Sequence, residues 1–119
     1  MSTLDPRAVD RVSGPAWAEL RPLVLAVADV LLAASPKARS NLTTIYVKFE
    51  RPDGSPYAVM WLKKSSESVV GLTLPEDIDA PRLHDAPPGM TYKGLTRYFT
   101  LRSGEDAPAD LHAWAAQAY

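Results

Sequence analysis

The five residues Arg51-Pro52-Asp53-Gly54-Ser55 restrict the fold of this chain more than any other segment. Proline presets its own φ, aspartate can bond the backbone two residues on, and glycine tolerates a positive φ, so the segment reads as a tight reversal. Both flanks carry strand periodicity. Residues 43–50 alternate Ile45, Val47 and Phe49 with Thr44, Tyr46, Lys48 and Glu50, and residues 57–63 form a second run rich in β-branched and aromatic side chains. Strand, turn and strand of this kind fold back antiparallel. Four or five residues can fill the loop, and a slip of one exchanges faces. Trp61 therefore lies either with Ile45 and Val47 or with Tyr46 and Lys48.

Further strands follow. Residues 68–74 set Val70, Leu72 and Leu74 against Val69, Gly71 and Thr73, and residues 96–102 supply a fourth strand. Between them, Pro75, Pro81, Pro87 and Pro88 make residues 75–95 a long loop without regular structure. Helices frame the strands. Asp5-Pro6 has the form of an N-cap and first helical residue, predicting a leader or short helix within residues 1–14. Trp17, Leu20, Val24, Val27, Leu31 and Ala34 recur at helical spacing, predicting the main helix over 15–34, in which Pro22 marks either a kink or the true start. After the turn at Ser103-Gly104, a closing helix over 106–118 carries the stripe Leu111, Trp114, Ala115 and Ala118. Trp114 reads as a core anchor. The element order predicts a single α+β domain: a four-stranded antiparallel meander over 43–102, with N-terminal and C-terminal helices packed on one face and the other face open.

Composition narrows the chemistry. With no cysteine in 119 residues, thiolate nucleophiles, disulfides and cysteine metal sites are excluded, and a reducing compartment suits the chain. The first residues show no apolar run of the secretory kind, and the longest apolar stretch, 23–34, is interrupted by Asp29 and falls short of the roughly 20 residues a bilayer needs. The expectation is a cytoplasmic protein with no membrane partner. His84 and His112 are too few for a metal centre, and Glu76, Asp77 and Asp79 lack the spacing of a calcium loop, so they read as solvated charge. No Gly-x-Ser-x-Gly elbow and no glycine-rich phosphate cradle is present. A non-enzymatic domain without catalytic residue, cofactor or metal is expected. A small enzyme is the lesser alternative, its general base drawn from His84, Asp85 or Glu50.

The charges are unevenly placed. Segments 37–64 and 82–102 hold ten cations against three acids, a surplus of +7; with the chain at −1, the remainder carries −8. Aromatic and basic residues interleave in these segments, which directs attention to Tyr46, Lys48, Trp61, Lys63, Lys93 and Arg97 as candidate ligand-binding residues on the open sheet face, with Tyr92 and Tyr98 nearby. An anionic small molecule, a protein or DNA would suit them. The competing reading has the aromatics in the core and the lysines shielding sheet edges. A pI near 6.1 argues against strong nonspecific affinity for nucleic acid, so a DNA-associated role would need a local patch.

The runs Ile45-Tyr46-Val47-Lys48-Phe49, Tyr57-Ala58-Val59-Met60-Trp61-Leu62-Lys63-Lys64 and Val70-Gly71-Leu72-Thr73-Leu74, with the terminal helix ending Ala118-Tyr119, resemble the bacterial family called domain of unknown function 5655. The resemblance covers about the last two-thirds of the chain and rests on apolar pattern. That family is similar in outline to the YdhG-like and YjbR-like small bacterial domains, for which a frataxin-like α/β architecture and a DNA-binding role have been suggested. The resemblance implies a fold and transfers no catalytic residue. The 75–88 loop and the 5–15 leader fall outside it.

Overall fold

In the computed structural model, which describes residues 3–75, 77–78 and 80–119, the predicted reversal forms. The Arg51 N–H donates to the Ser55 carbonyl at 2.9 Å, the Asp53 carboxylate accepts from the Ser55 N–H, and Gly54 takes φ +87°. The elements run α1 (Pro6–Arg11), α2 (Arg21–Leu32), β1 (Arg39–Thr43), β2 (Tyr46–Glu50), β3 (Pro56–Trp61), β4 (Glu67–Leu72), β5 (Arg97–Arg102) and α3 (Leu111–Ala118). The strands make one antiparallel sheet in the order β1-β2-β3-β4-β5, so the chain is α+β.

The sheet has five strands, not four. Residues 43–50 are not one strand, because the chain reverses at Thr44-Ile45, pairing Thr43 with Tyr46 across a two-residue loop. Such loops call for φ > 0 at their first central residue, usually from glycine or asparagine. Here Thr44 adopts it at +47°, a conformation that β-branched residues seldom take. Nothing in its chemistry announces a turn. β1 itself, Arg-Ser-Asn-Leu-Thr, lacks the apolar alternation by which a strand is recognised. The reversal also carries Ile45 away from Val47 and Phe49, to pack on the opposite core.

The main helix is shorter than 15–34. A 3-10 turn at Pro15–Trp17 precedes α2, and Pro22 stands in the first helical turn, where a missing N–H forfeits no helix bond. Arg21 binds the Val12, Ser13 and Gly14 carbonyls at 2.6–2.8 Å, tying α2 to the end of α1. α3 likewise begins at Leu111 and not at 106.

Tyr46 pairs with Trp61 and Val47 with Met60, which settles the register: Trp61 shares the face of Tyr46 and Lys48. Two cores result. In the first, Val24, Val27 and Leu31 of α2 and Leu111 and Trp114 of α3 join Phe49, Met60, Leu72 and Phe99 from the strands. A bulge at Phe49/Glu50 brings Tyr57 into this core, where its hydroxyl donates to the Leu31 carbonyl at 2.7 Å. Burial pushes that hydroxyl's pKa well above the usual tyrosine value.

In the second core, Val59, Trp61, Val69 and Tyr98 are covered by Leu95, with Ala86, Met90 and Tyr92 packed around them. The face expected to be open is thus roofed by residues 84–95. Main-chain bonds between His84 and Tyr98, at 2.8 and 2.9 Å, seat one end of the roof on β5. Gly71 makes the close approach possible: a Cβ there would lie 2.7 Å from both Leu95 Cδ1 and Tyr98 Cε2.

Asp5 closes the outer edge of the sheet. One carboxylate oxygen accepts from the Arg7 N–H at 3.0 Å as an N-cap, and the other accepts from the Leu42 N–H of β1 at 2.8 Å and from the Arg7 guanidinium at 2.8 Å. The Arg7 guanidinium is the main cause that holds the Asp5 carboxyl at about 2, below its ordinary 3.8, with the two N–H donors adding to it against desolvation. Because the folded pKa is depressed, the stability that Asp5 contributes is complete above 3.8 and lost as pH falls towards 2. Asp5→Asn is expected to lower stability by about 1 kcal/mol at neutral pH and to flatten the acid limb of unfolding, measured by urea midpoints across that range.

Candidate functional site

Three contacts join the aromatic residues of the second core into a row: Tyr92 to Tyr46 at 5.8 Å between ring centroids, Tyr46 to Trp61 at 6.1 Å and Trp61 to Tyr98 at 6.1 Å. Only Tyr92 and Tyr46 reach solvent, since Trp61 is 6% exposed and Tyr98 2%. Of the residues singled out from sequence, Tyr46 and Trp61 therefore come together, but Trp61 does so as core. Lys48, on the same face, lies 3.8 Å from Glu50. Lys63 is exposed and, with Trp61 and Met90, rims a hollow too small for more than a water molecule. Lys93 is exposed within the roof. Arg97 has the strand parity of Phe99 and Leu101, not of Tyr98, and its guanidinium meets Asp85 at 3.2 Å. The six residues do not converge on one cavity.

Nor is the +7 surplus a free patch. Arg51 donates to the Tyr119 and Ala118 carbonyls at 2.6 and 2.7 Å, a cation set against the C-terminal end of α3. Arg39 reaches the Pro52 carbonyl, Arg82 the Asp106 and Thr100 carbonyls, and Lys64 and Arg102 share Glu67. The residues considered as general bases have structural partners too. His84 is bonded through one ring nitrogen to the Asp85 carbonyl and through the other to the Thr100 hydroxyl, while Asp85 faces Arg97 and Glu50 faces Lys48. Glu76 and Asp79 of the acidic loop lie outside the described residues.

A larger concavity lies elsewhere. Where the C-terminal half of α2 runs past the start of α3, with Thr3 and Leu4 alongside, the surface opens into a groove of about 750 Å3. Its walls are mainly apolar: Leu4, Val30, Leu32, Ala33 and Pro36. Thr3, Ser35, Asp29 and His112 supply the polar atoms. The volume falls within the range of small-molecule sites, roughly 300–1,000 Å3. A groove assembled from three separated segments leaves no motif in the sequence, but one signal was available. Residues 21–32 hold Leu23, Leu25 and Val30 in addition to the buried residues, more apolar surface than a helix with one buried face needs, and Val30 lines the groove.

No protein-family model, curated protein or solved structure matches the chain.

Proposed function

We propose that this chain is a non-enzymatic binding domain whose site is the α2–α3 groove. One observation carries the proposal: a 750 Å3 concavity with apolar walls and a few polar atoms, in a molecule whose expected sheet-face site is filled by its own loop. The sharing of one core by α1, α2 and α3 with alternate strand residues supports a layered arrangement in which helices cover one face and residues 84–95 the other. The resemblance to domain of unknown function 5655 belongs to this proposal on the strength of the strand and helix pattern alone. So does a cytoplasmic setting, which rests on the absence of cysteine; no helix among the described residues is long and apolar enough to cross a membrane.

The site is tested with a neutral solvatochromic dye such as Nile red. Saturable one-to-one binding in the micromolar range is expected for the native chain. Ala33→Trp, which places an indole in the groove from an exposed position at the end of α2, should weaken it at least tenfold while leaving the thermal midpoint near its native value. Absence of saturable binding, or binding indifferent to Ala33→Trp, would remove the proposal.

A second reading, a DNA-associated domain, draws on exposed Lys63 and Lys93 near the half-buried rings of Tyr46 and Tyr92. Titrating a labelled duplex at two salt concentrations decides it, since phosphate contacts weaken steeply with salt. Binding that ignores salt, or none at micromolar protein, counts against it.

A further inference from the structure

Resting on the groove as the binding site, we infer that its ligand is a small cationic amphiphile, an apolar body carrying an ammonium group that Asp29 receives. Among the nine described residues lining the groove, Asp29 is the only carboxylate, and none is lysine or arginine. Asp29 sits on the exposed side of α2, one turn before the helix ends, and among the described residues no donor reaches its carboxylate. Four other described acids, Asp5, Glu50, Glu67 and Asp85, each face a cation of the chain itself, and Asp29 does not.

The backbone adds to the same sign at this end of the groove. Leu32, Ala33, Ser35 and Pro36 line the groove where α2 stops, so the negative end of a twelve-residue helix dipole lies beside it, with no basic residue in the last turn to offset it. His112, in the first turn of α3, marks the opposite wall, where the positive end of a shorter helix lies. Among the described lining residues the formal charge, on Asp29, is negative. Val30, Ala33 and Pro36 give an alkyl or aryl body apolar surface to displace water from, while the exposed position of Asp29 lets an ammonium keep part of its hydration. An anionic amphiphile would meet repulsion from Asp29 with no lysine or arginine among the described lining residues to hold it. A neutral one would bind by its apolar body alone.

Decylammonium, decanol and decanoate, titrated below their aggregation concentrations at pH 8, separate these cases. Displacement of Nile red is the readout. Decylammonium is expected to bind roughly three- to tenfold more tightly than decanol, the size of a partly exposed ion pair, with decanoate weakest. Asp29→Asn should erase the preference for ammonium over decanol, and Asp29→Glu should restore much of it. Equal binding of all three, or an ammonium preference that survives Asp29→Asn, would overturn the inference while leaving the groove in place as a site. If none of the three displaces the dye, the cationic ligand falls too; if the dye itself fails to bind, the groove falls with it.

Discussion

Trp114→Ala is expected to lower stability by about 3–5 kcal/mol, enough to bring the thermal midpoint down by roughly 10–20 °C. The indole is 5% exposed and its ring lies 6.0 Å from that of Phe99, so it is the bulkiest link between α3 and the sheet. Its neighbours along the α3 stripe are Leu111, Ala115 and Ala118, and the two alanines are too small to collapse into the space left behind. The loss should therefore include a cavity contribution beyond the lost transfer energy. Urea unfolding with an unchanged m-value would register it as a stability effect. A loss below about 1 kcal/mol would mean that α3 does not anchor the first core through this residue.

Gly71→Ala is expected to act on the other side of the sheet, through overpacking of about 1–3 kcal/mol. The new methyl group would meet Leu95 and Tyr98 at 2.7 Å. Tyr98 has little room to move: its backbone is paired with Gly71 across the sheet and bonded to His84, and its hydroxyl accepts from the Tyr92 N–H at 3.1 Å. Leu95 must yield, and with it the roof over Trp61. Increased proteolytic cutting within residues 84–95 and a red shift of tryptophan fluorescence should accompany the loss. Leu95→Ala introduced on top should recover part of it, a coupling that a double-mutant cycle measures. Strict additivity of the two substitutions would show that Leu95 does not press on the sheet at Gly71.

These two substitutions differ in how far sequence foretells them. Trp114 stands at helical spacing from Leu111, Ala115 and Ala118, so its burial follows from local periodicity. Gly71 lies in the strand pattern as an unremarkable member of the Val69 and Thr73 face. Its lack of a side chain signals a close approach in general, yet only the coordinates identify Leu95 as the residue that approaches. The candidate site shows the same division. Tyr46 and Trp61 share a face once the register is known, but the roof that buries Trp61 comes from a proline-rich segment that local rules describe only as irregular. Arg51, which reads as the first residue of a turn, proves to be the donor to the last carbonyls of α3, a partner far away in the chain.

Helix stripes, strand alternation in β2 to β5 and the reversal at Gly54 could be found by inspection because each depends on neighbours within one or two turns of chain. The extra strand β1, the closed second face and the α2–α3 groove could not. Each is made by segments brought together across the molecule, where the free energy of burying Leu95, Leu4 or Leu32 depends on what folding sets against it and not on the residues beside it in the chain.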